Sequence, residues 1–167
     1  KRWHLRHDRG RTELALGPLT CVRFDRDDPA LLWVGRPDGR LEICDSHTGE
    51  VRGRARAHEG AVTDLAWDPV AAAVTAGADG RVRSWKRAGT EILPVGRTIN
   101  HDRPLRGLGV YAGRADGETR RRVVASDRDH KLLLWDAASG ELLEGPVPLE
   151  GGARAAELPG LVAFNAD

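Results

Sequence analysis

The sequence predicts an all-β fold made of repeated four-stranded antiparallel sheets. Two observations favour this class: one short string recurs along the chain, and the segments between its copies are apolar runs of strand length, separated by turn signals and without helical periodicity. The recurring strings are "PDGRLEICDSHTGE" (37–50), "ADGRVRSWKRAGTE" (78–91) and "DRDHKLLLWDAASGE" (127–141), with a weaker copy "WHLRHDRGRTE" at 3–13.

The copies are spaced like the units of a repeat protein. Their anchor residues, each six positions before a glutamate, are His7, Cys44, Trp85 and Trp135. These anchors lie 37, 41 and 50 positions apart, close to the period of roughly 40–45 residues of a four-stranded propeller blade. The longest interval contains a turn-rich insertion, "AGRADGETRRR" (112–122). We expect residues 113–119 to be a hairpin insertion that forms an exposed loop between the first and second strands of its unit.

The second unit shows the strand pattern most clearly. Its strands are predicted at 61–67, 71–77, 81–86 and 91–96. The segments between them, "DP", "ADG" and "RAG", are turn signals of the hairpin kind. A single unit of this size cannot bury its own apolar surface, so the units must stack on one another.

Composition excludes several classes of protein. The chain has 167 residues, 40% hydrophobic and 31% charged, with a net charge of +1, so no overall field draws it to nucleic acid or to an anionic membrane. No apolar run approaches the roughly 20 residues needed to span a bilayer. Cys21 and Cys44 lack CxxC spacing, which predicts free thiols in a reducing cytoplasm. The excess of Arg over Lys is typical of a GC-rich bacterial genome.

The repeat pattern resembles the WD-repeat (tryptophan-aspartate repeat) β-propeller family over nearly the whole chain. The residues that carry the resemblance are "AHEGAV…AGADGRVRSW" (57–85) and "NHDRPL…SDRDHKLLLWD" (100–136). It implies blades of four antiparallel strands within a ring of seven or eight blades. No cofactor is implied.

On this reading the chain holds three full blades and two half-blades. The ring is then completed by missing sequence of a longer chain or by a second copy in a homodimer. The expected divisions are 1–16 (outer strands of a blade), 17–56, 57–99 and 100–149 (full blades) and 150–167 (inner strands of a blade).

The resemblance also implies a structural network in each blade. In the family, a His before the first strand meets an Asp in the turn between the second and third strands, and a hydroxyl and a Trp complete the network. In the second full blade these positions are His58, Asp79, Thr75 and Trp85. In the third they are His101, Asp129 and Trp135, with Ala125 in place of the hydroxyl. The first full blade keeps Asp38 but has Cys44 instead of Trp and no His.

No catalytic or metal site is predicted. Asp127, Asp129 and His130 are close in sequence, but side chains of a tight turn point in different directions, so proximity does not give ligand geometry. The run at 120–122, "RRR", is balanced by nearby acids and has no interleaved aromatic residues. This composition favours a solvated hairpin over a nucleic-acid contact.

The expected function is a non-enzymatic scaffold that binds a protein or peptide. The family implies binding on the face formed by the turns between second and third strands and by the loops between blades. The candidate contact residues on that face are Arg36, Glu59, Asp102, Arg103 and Arg128. Two alternatives stay open: a propeller hydrolase or lyase, which needs converging acids, His or a metal in the central channel, and a weak nucleic-acid binder, whose affinity falls steeply with salt.

Overall fold

Three four-stranded antiparallel sheets and one two-stranded hairpin form the regular structure of the residues that the computed structural model describes. It describes residues 3–7, 10–68, 72–115 and 118–148. The predicted all-β class with four-stranded blades is confirmed. Within these ranges no helix could cross a membrane. The predicted inner strands at 150–167 lie outside the described residues.

The hairpin and each sheet follow one another along the chain. The hairpin consists of β1 (Trp3–His7) and β2 (Gly10–Leu14). Blade 1 consists of β3 (Cys21–Phe24), β4 (Leu31–Gly35), β5 (Arg40–Asp45) and β6 (Val51–Arg56). Blade 2 consists of β7 (Val62–Asp68), β8 (Ala72–Gly77), β9 (Arg81–Ala88) and β10 (Glu91–Asn100). Blade 3 consists of β11 (Leu105–Ala115), β12 (Glu118–Asp127), β13 (Lys131–Asp136) and β14 (Leu142–Pro148).

The inner hairpin of blade 3 is longer than predicted. Strands β11 and β12 pair without interruption from Gly107 and Ser126 outward to Ala115 and Glu118, which replaces the loop expected over 113–119. The prediction followed the polar composition of this segment. A polar ribbon can nevertheless satisfy its backbone donors and acceptors by pairing, so composition alone does not end a hairpin.

Apolar side chains fill the seams between neighbouring blades. Trp33, Leu41 and Ile43 of blade 1 pack with Val62 and Leu65 of blade 2. A second cluster joins blades 2 and 3. A third joins Leu14 and Leu16 to the remaining face of blade 1. Each sheet is therefore covered by a neighbour, as the near-continuous apolar strands require.

Buried carboxylates also cross these seams. Asp25 accepts hydrogen bonds from Trp33 Nε1 of its own blade at 2.7 Å and from Arg87 Nε of blade 2 at 3.0 Å. Burial acts to raise the pKa of Asp25, but these bonds and a backbone N–H hold it below its ordinary value. Asp64 of blade 2 accepts the backbone N–H of Leu108 of blade 3 at 3.0 Å. Asp25 and Asp64 thus each accept hydrogen bonds across a seam.

Candidate functional site

The turns between second and third strands have the same backbone in all three blades. In each, the N–H of the fourth residue donates to the carbonyl of the first: Gly39 to Arg36, Gly80 to Gly77 and His130 to Asp127, at 3.1–3.2 Å. The fourth residue has a positive φ in every case, +87° and +75° at the two glycines and +59° at His130. The third residue is an aspartate in every turn, whereas the first differs among Arg36, Gly77 and Asp127.

The turns of blades 1 and 2 are each held by the loop that leads into the next blade. The N–H groups of Ala57 and His58 donate to the Gly39 carbonyl at 2.9 and 3.0 Å, and the N–H of His101 donates to the Gly80 carbonyl at 2.8 Å. A Cβ at Gly39 would overlap the His58 carbonyl oxygen, so this approach requires glycine. The turns and the loops between blades therefore form one continuous face, here called the turn face.

Blade 2 contains a buried chain of four hydrogen-bonded side chains. Trp85 Nε1 donates to Thr75 Oγ1 at 2.8 Å, Thr75 Oγ1 lies 2.9 Å from His58 Nε2, and His58 Nδ1 lies 2.9 Å from Asp79 Oδ1. With a neutral imidazole protonated at Nδ1, every donor in this chain meets an acceptor. Asp79 also accepts the backbone N–H of Glu59 at 3.2 Å, which ties the turn to the loop between blades.

The electrostatics of this chain favour the neutral imidazole. Burial lowers the pKa of His58 below its ordinary value of 6.5, and this outweighs the opposing effect of the Asp79 carboxylate. Burial also acts to raise the pKa of Asp79, yet its hydrogen bonds from Glu59 N–H and His58 hold that pKa below the ordinary value. An ionised Asp79 therefore accepts a hydrogen bond from a neutral His58.

Blade 3 does not form the network predicted from His101, Asp129 and Trp135. A Cβ at the first turn position of blade 2, Gly77, would overlap the His58 ring, and blade 3 has Asp127 at that position. Asp127 is buried and its Oδ1 accepts the backbone N–H groups of Asp129 and Lys131, both at 2.9 Å.

The two predicted polar partners in blade 3 are consequently separated. His101 Nε2 is buried without a hydrogen-bond partner and lies 3.8 Å from Asp127 Oδ2. The His101 ring lies edge-on to Trp135, with centroids 6.2 Å apart. Asp129 points to the surface and forms an ion pair with Arg103. The steric effect of Asp127 explains why the predicted contact between His101 and Asp129 is absent.

Blade 1 has a third arrangement at the same position. Arg36 turns inward: its Nε lies 2.8 Å from Glu42 Oε2, and its Nη1 donates to the carbonyl oxygens of Leu16 and Pro18. Only 13% of the Arg36 side chain is exposed, so its assignment as an exposed contact residue was wrong. Asp38 is half exposed and pairs with Arg40 at 3.3 Å.

The remaining predicted contact residues lie at the surface. Glu59, Asp102, Arg103 and Arg128 are exposed on the loops and turns of the turn face. Arg103 is paired with Asp129. The turn face therefore presents charges of both signs on a backbone that is held by hydrogen bonds between turns and loops.

The described residues offer no metal centre and no activated thiol. No three or more of their His, Cys, Asp and Glu side chains are grouped so as to hold a metal ion. Burial, with a contribution from Asp64, raises the pKa of the Cys21 thiol to about 11. Burial likewise raises the pKa of Cys44. A thiol with a raised pKa is a poor nucleophile near neutral pH.

Comparison with known families agrees with this geometry. The family model described as "WD domain, G-beta repeat" matches residues 46–86, which include all four members of the blade 2 chain. This segment is a WD repeat. No curated protein matches the sequence.

Two solved structures show the same fold as this chain. The β-propeller domain of Myceliophteria thermophila Cps50 (Swd1) matches with a TM-score of 0.64 and 17% identity, over 81% of this chain and 50% of the other. The computationally designed Ika4 protein matches with a TM-score of 0.58 and 21% identity, over 89% of this chain and 80% of the other. The chain thus spans half the length of the Swd1 chain.

Sequence reasoning missed two structural residues of this chain. Glu42 was not singled out, although it forms the buried partner of Arg36. The pattern predicts Asp127 to be a turn residue, whereas its side chain is the buried acceptor beneath the turn. Aligning the residue two positions before each turn aspartate reveals the signal, since Arg36, Gly77 and Asp127 differ at that place.

Proposed function

We propose that this chain is a non-enzymatic scaffold that binds a protein or peptide partner on the turn face. WD-repeat propellers generally act as protein-interaction scaffolds and are typically not enzymes. The observation that carries the proposal is the support beneath this face: the loop residue Glu59 is exposed, while its backbone N–H donates to Asp79, whose side chain is only 7% exposed. A preorganised surface loses little conformational entropy on binding.

The charges of the turn face favour a partner with complementary charges of both signs. Glu59 and Asp102 supply negative charge, and Arg103 and Arg128 supply positive charge. Rim charges of this kind chiefly set association rate and specificity. Replacing Arg103 and Arg128 with Glu should therefore slow association more than it speeds dissociation.

Site-specific photocrosslinking tests which face of the protein binds the partner. A crosslinking amino acid replaces Glu59 or Asp102 on the turn face, or Thr48 or Ser139 as matched exposed controls in the turns between third and fourth strands. We expect the same partner band from both turn-face positions and none from the controls. Crosslinks of equal yield from the control turns, or no partner from any position, would contradict the proposal.

Ring completion and location belong to the same proposal. We infer that the ring is completed by further sequence of a longer chain or by a second copy, and that the protein is cytoplasmic. Three stacked four-stranded blades support the first inference, because an open arc of sheets leaves apolar faces to cover. Light scattering on the chain tests it: a monodisperse monomer that melts cooperatively would argue against both forms of completion.

A further inference from the structure

The seam between the outer strands of blades 1 and 2 is closed at one end and open at the other. At Gly53 of β6 the two blades touch so closely that an added Cβ would overlap the carbonyl oxygen of Thr90. Farther along, the strands part around a cleft of about 350 Å³, a volume within the range of ligand pockets. The cleft is lined by Ala55, Arg56, Arg83, Ser84, Trp85, Ile92, Pro94, Val95, Gly96, Arg97 and Thr98.

A bulge in the outer strand of blade 2 shapes this cleft. The pairing of β10 with β9 shifts from Val95 opposite Ser84 to Ile99 opposite Val82. The intervening residues 96–98 therefore have no partner in that ladder. Gly96 has φ +70°, and a Cβ placed on it would meet nothing within 4 Å. The backbone N–H and C=O groups of residues 96–98 are therefore not paired in the ladder between β9 and β10, and they lie beside an open space.

The charge of the cleft is uniformly positive. Its lining includes Arg56, Arg83 and Arg97 and no carboxylate. Arg83 donates to the carbonyl oxygen of Ala57. Within the described part of the chain, no ion pair or side-chain hydrogen bond is found for Arg56 or Arg97. By contrast, arginines that pair with a carboxylate in the same blades include Arg23, Arg36, Arg40, Arg52, Arg54, Arg81 and Arg87.

The rest of the lining suits a peptide. The hydroxyls of Ser84 and Thr98 can donate to an anion, and Trp85, Ile92 and Pro94 supply apolar surface. Guanidinium groups bind carboxylates and phosphates through charge-assisted hydrogen bonds. An anionic side chain flanked by apolar residues therefore matches this cleft better than a neutral ligand or a cation does.

We propose that the cleft binds an anionic side chain, glutamate or phosphoserine, carried by an extended peptide segment of a protein partner. The site lies at the outer edge of blades 1 and 2 and uses none of the turn-face residues. A partner seated on the turn face would thus have a second, separate contact available at the rim.

Fluorescence anisotropy with defined peptides tests the proposal. The probes are three fluorescein-labelled peptides of identical length, with a central glutamate pair, a central phosphoserine or a central glutamine pair between apolar residues. We expect at least one anionic probe to bind, with affinity that falls as salt rises, and the glutamine probe not to bind. Which anionic probe binds more tightly identifies carboxylate or phosphate as the natural group.

Two double variants that remove the same charge test whether the anionic probe binds in the cleft. R56Q/R97Q removes two cleft arginines and should weaken the bound anionic probe about tenfold. R40Q/R54Q removes the same charge from exposed positions outside the cleft, one of them on β6, and should change affinity by less than about twofold.

Three outcomes would overturn the proposal. Equal weakening in both double variants would mean attraction by overall charge, and failure of both anionic probes to bind would mean that the cleft has no such ligand. Loss of binding in R103Q/R128Q, with R56Q/R97Q unchanged, would move the peptide to the turn face. That last result would leave the proposed scaffold function standing, so failures of the two proposals are distinguishable.

Discussion

The turns of blades 2 and 3 share a backbone, yet the side chains beneath them are arranged differently. In blade 2, glycine at the first turn position leaves room for His58, which joins Asp79 to Thr75 and Trp85. In blade 3, Asp127 occupies that room, supports the turn itself and leaves His101 Nε2 without a partner. A repeat can therefore keep its turn geometry while one residue changes which side chain supports it.

The largest expected effect on stability comes from adding a methyl group at Gly77. Gly77→Ala would place a Cβ against the His58 ring and 2.5 Å from Asp79 Oδ1. We expect a loss of about 4 kcal/mol in the free energy of unfolding, measured by urea denaturation, because the buried chain is broken. Gly60→Ala is the control: its Cβ would lie 3.2 Å from Ala78 Cβ, and its loss should stay below about 1 kcal/mol. Similar losses in the two variants would refute the steric argument.

Substituting the turn aspartates tests which of them stabilise the fold through covered hydrogen bonds and which only form ion pairs at the surface. Asp79→Ala should cost about 2–3 kcal/mol, because it leaves His58 Nδ1 and the Glu59 N–H without their acceptor. Asp129→Ala and Asp38→Ala remove side chains that are 43% and 50% exposed, and each should cost less than about 1 kcal/mol. Equal losses at the three positions, again in urea, would show that the blades do not differ as described.

Acid should weaken blade 2 through His58. Because the folded-state pKa of His58 lies below its ordinary value of 6.5, the unfolded chain takes up a proton first as pH falls. The stability from a neutral His58 is thus fully present above pH 6.5 and decreases below it, by at most about 1.4 kcal/mol per pH unit. His58→Phe should show a shallower decline between about pH 7.5 and 5.5 than the parent chain. Parallel curves would contradict the assignment.

The smallest expected effect is a gain in blade 3. His130 has φ +59°, a conformation that costs a residue with a Cβ about 1 kcal/mol relative to glycine. His130→Gly should therefore raise the free energy of unfolding by up to about that amount. Arg128→Gly, in the same turn at a residue without positive φ, should instead lower it slightly. A loss at position 130 as large as at 128 would show that the His130 side chain contributes more than its strain costs.

The fold was predictable because its signals are local and repeated. Turn strings recur at blade spacing, and the residues of the blade 2 chain occupy the family's positions, so His58, Thr75, Asp79 and Trp85 could be named from sequence. The differences in blades 1 and 3 were not predictable in the same way. They depend on whether a side chain at the first turn position fills the space of a histidine from another segment.

The rim cleft escaped prediction for a related reason. The string "EILPVGRTIN" does not specify that residues 96–98 leave the ladder between Val95 and Ile99. The grouping of Arg56 with Arg83 and Arg97 appears only when β6 and β10 are placed side by side. Sequence pattern places residues on strands, whereas spacing between blades depends on small features such as Gly53.

The hydrogen bonds of the Asp25 carboxylate have a consequence for how blades 1 and 2 unfold. Trp33 of blade 1 and Arg87 of blade 2 donate to the same oxygen, Oδ2. If blade 2 melted first, Asp25 would lose its arginine while still confined beside Trp33, at the cost of a buried charge with fewer donors. Partial unfolding is therefore penalised at this boundary. The two blades should melt in a single cooperative transition, and neither should be excisable as an independent folding unit.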